Sequence, residues 1–265
     1  MARTGQPSRG RVAAADRSLA ILEELAEGGT LGTNELARRT GMSPSTVSRQ
    51  LGTLLAGGLV EHVPETGQYR LGIRIVQLAN AVLGRLDVRN VARPHLERLV
   101  AEVGETATLS VPGDRDAITV DFVPTDHYVQ GVTRLGRPSI GHATAAGKVM
   151  LAFVARPLPE GPLTAYTART ITDPAALAAE LERVRRRGYA EAFEEREPGL
   201  NAIAAPIWSA RGELEAIVAL QGPSGRFDRD RVRAALPRAD RPKPVRICRR
   251  SRSRALIRLA RWVGC

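Results

Sequence analysis

The octapeptide Ser43-Pro44-Ser45-Thr46-Val47-Ser48-Arg49-Gln50 gathers four hydroxyls, a guanidinium and a carboxamide. Hydroxyls and backbone N–H groups bond phosphate oxygens. A guanidinium takes the guanine edge bidentately, and a carboxamide takes the adenine edge. The chemistry is that of a helix lying in a DNA groove, with Arg49 assigned to guanine and Gln50 to adenine. Ser43, Ser45, Thr46, Ser48, Arg49 and Gln50 are all placed off the apolar stripe Val47, Leu51, Leu54 and Leu55. Taken singly, each has a plainer reading as a helix cap or a solvated side chain, so the inference rests on their joint arrangement.

Other elements must hold that helix in place. From Asp16, the apolar residues Leu19, Ile21, Leu22, Leu25 and Ala26 recur at helical spacing, and Gly28-Gly29 ends the run. A second helix, "NELARRT", has Thr33 as its expected N-cap and phosphate contact, Leu36 and Ala37 facing inward, and Gly41 at its close. Ser43 caps the third helix with Pro44 at its first position, and Gly57-Gly58 stops it. "LVEHV" and "QYRLG" then alternate like two strands joined by Pro64-Glu65-Thr66-Gly67, with His62, Gln68 and Arg70 in or near the hairpin. Three helices and a hairpin make a winged helix-turn-helix.

Residues 73–90 read as an amphipathic linker helix. Beyond it, "VARPHLERLVAEVGE" is helical, and "TATLSV" and "DAITVDFV" are strands about the turn Pro112-Gly113-Asp114-Arg115. "HYVQGVT" is a further expected strand, and "ATAAGKVMLAFVA" and "PAALAAELERVRRRGY" are helices. "NAIAAPIWS" and "ELEAIVALQGP" form a hairpin turning at Ala210-Arg211-Gly212. The fold class is α+β, in five segments: a flexible basic arm (1–15), the winged domain (16–72), the linker (73–90), a second domain (91–237) and an atypical basic tail (238–265).

The net charge of +11 is a poor guide. Residues 238–265 hold ten of the 39 basic and one of the 28 acidic residues, hence nine of those charges. Both cysteines, Cys248 and Cys265, lie there too, so the preceding 237 residues contain no thiolate. The tail has two readings: a phosphate-binding arm, or a non-native or disordered end such as a frame shift would create. The second is the expectation. No apolar run is long enough for a membrane helix and no signal peptide is evident, so a cytoplasmic protein without a membrane partner is expected.

"RSLAILEELAEGGTLGTNELARRTGMSPSTVSRQLGTLLAGGLVEH" resembles the DNA-binding domain of the IclR family of bacterial transcriptional regulators. "GHATAAGKVMLA" and "RGYAEAFEEREPGLNAIAAPIWSARGELEAIVALQGPSGRF" resemble its effector-binding domain. The likeness runs from about Asp16 to Leu236. It implies a GAF/profilin-like α/β second domain that binds a small molecule, and a homodimer or dimer of dimers on a near-palindromic double-stranded operator. The linker helix would help to pair the winged domains. Repression is the expected sign, although activators share the architecture.

Within that frame, Thr144-Ala145-Ala146-Gly147 opens a helix with small residues, so its amides are expected to receive a carboxylate beside the Thr144 hydroxyl. Asn201, Ala202, Ile203 and Gln221 are expected to form a second wall, and Leu109, Phe122 and Val129 an apolar lining. Lys148 is read equally as solvated or pocket-facing, and His142 is left open. Glu194 and Glu195 match the family's acidic pair. The chain departs from the family at Ala192, where Asp is common, with Phe193 following, and at Ala202 and Gln221, where Cys and Ser are frequent. The expected effector is a medium-sized or aromatic organic acid.

No metal site, cofactor or catalysis is expected. His62, His95, His127 and His142 form no ligand pair, and no nucleophile elbow, Walker loop or dinucleotide fingerprint occurs. The main alternative is a GAF-like small-molecule-binding enzyme that uses its N-terminal helices for dimerisation. The other is an architectural DNA binder that relies on the tail.

Overall fold

Gly41, with φ 70°, occupies the left-handed region that an L side chain rarely adopts, and it turns the chain between two short helices. The computed structural model describes residues 12–84, 87–128, 133–154, 157–158, 161–209, 211–234 and 245–247. The chain divides into two compact units, the first running to Arg85 and the second starting at Leu86.

The first unit contains α1 (Ala13–Gly28), α2 (Thr33–Thr40), α3 (Pro44–Ala56), β1 (Val60–Val63), β2 (Gln68–Leu71) and α4 (Arg74–Leu83). Helix α1 starts three residues before Asp16, and within it Leu19 and Ala26 are exposed. The N-cap of α2 is Gly32 rather than Thr33, which occupies the first helical turn. Ser43 caps α3 as its sequence implies, accepting a hydrogen bond from the Thr46 N–H at 3.3 Å. Ile21, Leu25, Leu36, Val47, Leu51, Leu54 and Val60 form one core beneath the three helices and the hairpin. Reciprocal backbone bonds between Leu31 and Tyr69, at 2.9 and 2.8 Å, tie the hairpin to the α1–α2 connection.

The second unit opens with α5 (Asp87–Val103), which runs through residues 90 and 91, where a linker and a new domain had been separated. The expected linker is thus cut: α4 ends at Leu83 in the first unit and α5 belongs to the second. Next come β3 (Thr106–Pro112), β4 (Ala117–Val123), β5 (Pro138–Ser139), α6 (Ala145–Phe153), α7 (Pro174–Arg187), β6 (Ala190–Phe193), β7 (Leu200–Ser209), β8 (Leu214–Pro223), α8 (Arg229–Ala234) and β9 (Val245–Ile247). The sheet order is β5-β4-β3-β8-β7-β6, antiparallel throughout, with β9 added parallel to β7. Of the expected strand "HYVQGVT", His127 and Tyr128 form a bend, and residues 129–132 lie outside the described residues.

Within 238–265, expected to be non-native or disordered, residues 245–247 form β9; the rest lies outside the described residues. Strand β6 pairs with β7 only as far as Ala204, so the backbone edge at Ile207–Ser209 is left for β9 to occupy.

Helices cover both faces of the sheet. Arg93 of α5 bonds Asp121, whose register partner is Leu109, so α5 lies on the Leu109 face. Helices α6 and α7 pack on the other face against Ala190, Ala192, Ala204 and Ala219. These alanines let α6 approach closely. Gly147 sits so near the Ile140 backbone that an added Cβ would overlap its carbonyl. Gly147→Ala is therefore expected to destabilise the second unit by about 1–3 kcal/mol, read as a lowered midpoint in denaturant unfolding.

Candidate DNA interface and ligand cleft

Helix α3 presents Ser45, Ser48 and Arg49 to solvent, with Ser43 exposed at the cap and Thr46 half-buried beside it. The Ser43 hydroxyl lies 3.1 Å from that of Ser45 and 2.9 Å from that of Thr46, so the hydroxyls form one cluster at the helix start. The Arg49 guanidinium pairs with no carboxylate among the described residues. Nearby cations are already committed. Arg38 and Arg39 both bond Glu35, pulling its carboxyl down to about 2. Arg70 pairs across the hairpin with Glu61, whose carboxyl is held low first by the Ile73 N–H and then by Arg70.

Gln50 corrects the sequence reading. It is 7% exposed, and its Oε1 accepts from the Ser18 hydroxyl of α1 at 2.8 Å. Its position, three residues after Val47 and four before Leu54, puts it on the buried stripe. Gln50 therefore ties α3 to α1 and presents no carboxamide to a groove. In the hairpin, His62 is exposed and its ring lies 5.1 Å from that of Tyr69, its cross-strand partner; Gln68 is half-buried at the start of β2. Thr33 is half-buried in the first turn of α2.

The second unit has a cleft of about 670 Å3, counting its open mouth, between the start of α6 and the α6 side of the sheet. Thr144, Ala145, Ala146, Ala192, Ala202 and Gln221 line it as expected. Register explains the grouping, since Ala192 pairs with Ala202 and Ala202 with Gln221, placing all three on one face.

The same alternation removes several expected residues. Leu109 and Ile203 are fully buried on the opposite face. Asn201 also faces away, its amide donating to the Phe227 carbonyl at 2.8 Å. Phe193 lies under the guanidinium of Arg229, 4.4 Å from its ring centroid. Phe122 pairs with Thr108 but is not among the lining residues, and Val129 lies outside the described residues. One helical detail changes as well. The Gly147 N–H is taken by the Thr144 hydroxyl at 3.0 Å, so it is not open to a ligand. The amides of Ala145 and Ala146 have no acceptor among the described residues.

Sequence reasoning missed Thr108, Thr119, Ser139, Arg137, Arg196 and Glu197, all of which line the cleft. Alternation against the apolar Leu109 was a usable signal for Thr108. Nothing local marked Arg137, which arrives from a distant loop and pairs with Glu197. Lys148 is neither solvated nor a lining residue. It is 1% exposed, and its Nζ reaches Glu195 at 2.6 Å and the Glu191 carbonyl at 2.9 Å. Burial pushes the Glu195 carboxyl up, against the opposing pull of Lys148.

Comparison with known proteins places both units. Residues 14–64 match the family model described as the IclR helix-turn-helix domain, and residues 80–241 match that of the bacterial transcriptional regulator IclR C-terminal. The chain is 37% identical over 236 residues to the HTH-type transcriptional regulator BhcR of Paracoccus denitrificans, covering 87% of this chain and 84% of that protein. It is 33% identical over 234 residues to the transcriptional repressor IclR of Escherichia coli, covering 85% of each. An IclR homologue from Microbacterium hydrocarbonoxydans, solved in complex with 4-hydroxybenzoate, superposes with a TM-score of 0.68 at 27% identity, covering 83% of this chain and 93% of that one.

Arg49→Ala is expected to weaken operator binding by about 1–3 kcal/mol and relax preference at one base position, as read by titrated footprinting. Gln50→Met should leave base preference intact while lowering thermal stability.

Proposed function

The chain belongs to the IclR family of bacterial transcriptional regulators, and on that premise we propose that it is a repressor released from its operator by a small organic acid. The N-terminal unit is the DNA-binding domain and the C-terminal unit the effector domain. In the proposal, α3 enters the major groove with Arg49 on a guanine edge, and Ser43, Ser45, Thr46 and Ser48 divide between phosphates and bases. Thr33 and the hairpin residues His62, Gln68 and Arg70 add contacts at the flanks. Arg70 must exchange Glu61 for a phosphate to take part.

One observation carries the effector reading. The cleft holds two amides with no acceptor, those of Ala145 and Ala146, at the N-terminus of α6, where the helix dipole favours an anion. Hydroxyls of Thr108, Thr119 and Ser139 and the Gln221 carboxamide surround them, the last donating to Thr133 at 2.5 Å. Ala192 and Ala202 leave room for a ring. The relative bound to 4-hydroxybenzoate supports an aromatic acid of that size. The proposed role is binding, without catalysis.

The proposed assembly is a dimer paired in part through α4. None of its residues is buried, and Ile73, Val76, Leu78 and Val82 are each more than half exposed. Burying the exposed remainder of such side chains yields roughly 1–2 kcal/mol each. The effector must favour one arrangement of the paired winged domains over the other, since a ligand that binds both equally shifts nothing.

Three experiments test this reading. A gel-shift titration on DNA flanking the gene is expected to show a sequence-preferring complex that 4-hydroxybenzoate or a related monocarboxylate dissolves. Ala145→Pro keeps helical geometry at the first position but removes one donor, and should weaken acid binding by about 1.5–3 kcal/mol. A complex indifferent to every carboxylate tested would sink the effector assignment. Separately, the double substitution Val76→Asp and Leu78→Asp should shift the sedimenting species toward monomer and reduce operator affinity. An unchanged dimer would move the interface elsewhere.

A further inference from the structure

We infer that Arg196 is the residue that balances the charge of the effector carboxylate and so selects acids over their neutral analogues. The inference rests on the cleft reading above and adds the identity of the counter-charge. Four charged side chains line the cleft: Arg137, Glu195, Arg196 and Glu197. Glu195 is matched by Lys148 at 2.6 Å, and Glu197 is bonded by Arg137. Arg196 alone among these four has no oppositely charged side chain as partner among the described residues. With Lys148 included, the site carries one positive charge in excess, which a monocarboxylate would neutralise.

Arg196 is also held in place. Its Cζ lies 3.9 Å from the centroid of the Tyr166 ring. A guanidinium over an aromatic face keeps its in-plane N–H donors available for a carboxylate. Tyr166 is fixed in turn, because its N–H donates to the Thr170 hydroxyl at 3.0 Å and its ring lies 5.8 Å from that of His142. The Thr170 hydroxyl donates to the Glu195 carbonyl and the Thr167 hydroxyl to the Glu194 carbonyl, both at 2.6 Å. The segment carrying Tyr166 is thereby fastened to the one carrying Arg196, so little side-chain ordering is left for binding. Tyr166 is a positioning residue that acts through Arg196.

The test uses the full chain and matched pairs: 4-hydroxybenzoate with 4-hydroxybenzamide, benzoate with benzamide, and pyruvate with pyruvamide. Dissociation constants come from calorimetric titration, with circular dichroism to check folding. The unaltered protein should bind at least one acid more tightly than its amide. Arg196→Gln should weaken acid binding about 10- to 100-fold and leave amide binding unchanged, erasing the preference. Arg196→Lys, which retains the charge and guards against a folding defect, should recover part of it. Tyr166→Leu should weaken acid binding, whereas Tyr166→Phe should not. An acid preference that survives Arg196→Gln overturns the inference while leaving the cleft reading standing. Failure of the unaltered protein to bind any acid overturns both.

Discussion

A helix begins with amides that its own backbone cannot satisfy, and both functional surfaces of this protein are built on that constraint. At α3 the Ser43 hydroxyl takes the Thr46 amide, and at α6 the Thr144 hydroxyl takes the Gly147 amide. Each cap completes one bond and fixes the first turn. What remains facing outward differs between the two units. On α3 it is a cluster of hydroxyls beside a guanidinium; on α6 it is a first turn, with Ala145 and Ala146, that lines a walled cleft. The same local device thus serves a flat groove-reading surface and a small-molecule site, according to what surrounds it.

Charge is distributed with a similar division. Most cations near α3 are held by Glu35 and Glu61, which leaves Arg49 as an uncommitted positive group on that helix. Near the cleft, Lys148 and Glu195 form a buried pair. Removing both charges from water carries a desolvation cost that their attraction offsets only if the geometry is good and further hydrogen bonds are made. Here the Glu191 carbonyl adds one. Because loss of either partner would strand the other charge, the pair fixes the strand and helix that carry the cleft walls.

The corrections show where sequence pattern stops being enough. Gln50 read as a base contact because its carboxamide suits adenine, but its phase relative to Val47 and Leu54 puts it against α1. Once Ser18 supplies a donor, a polar residue is as acceptable there as a leucine. Asn201, Ala202 and Ile203 were grouped as one wall although adjacent strand residues point to opposite faces. Only Ala202 reaches the cleft. The linker helix was drawn across residues 73–90 because the apolar spacing continues through that stretch, yet α4 and α5 are separate helices in separate units.

The sequence by itself determined most of the helices and strands and several of their ends. Helical spacing, glycine stops, the Ser43 cap and the alternating hairpin residues are encoded within a few positions of one another. They were legible because the forces that set them act over a few residues. Tertiary structure alone decided which charges remain free. Arg137 meets Glu197 across 60 residues, Lys148 meets Glu195 across 47, and Arg196 stacks on Tyr166 from another loop. Coulomb and stacking interactions depend on distance in space, and the folded sheet, with α6 laid against its alanines, brings those groups together.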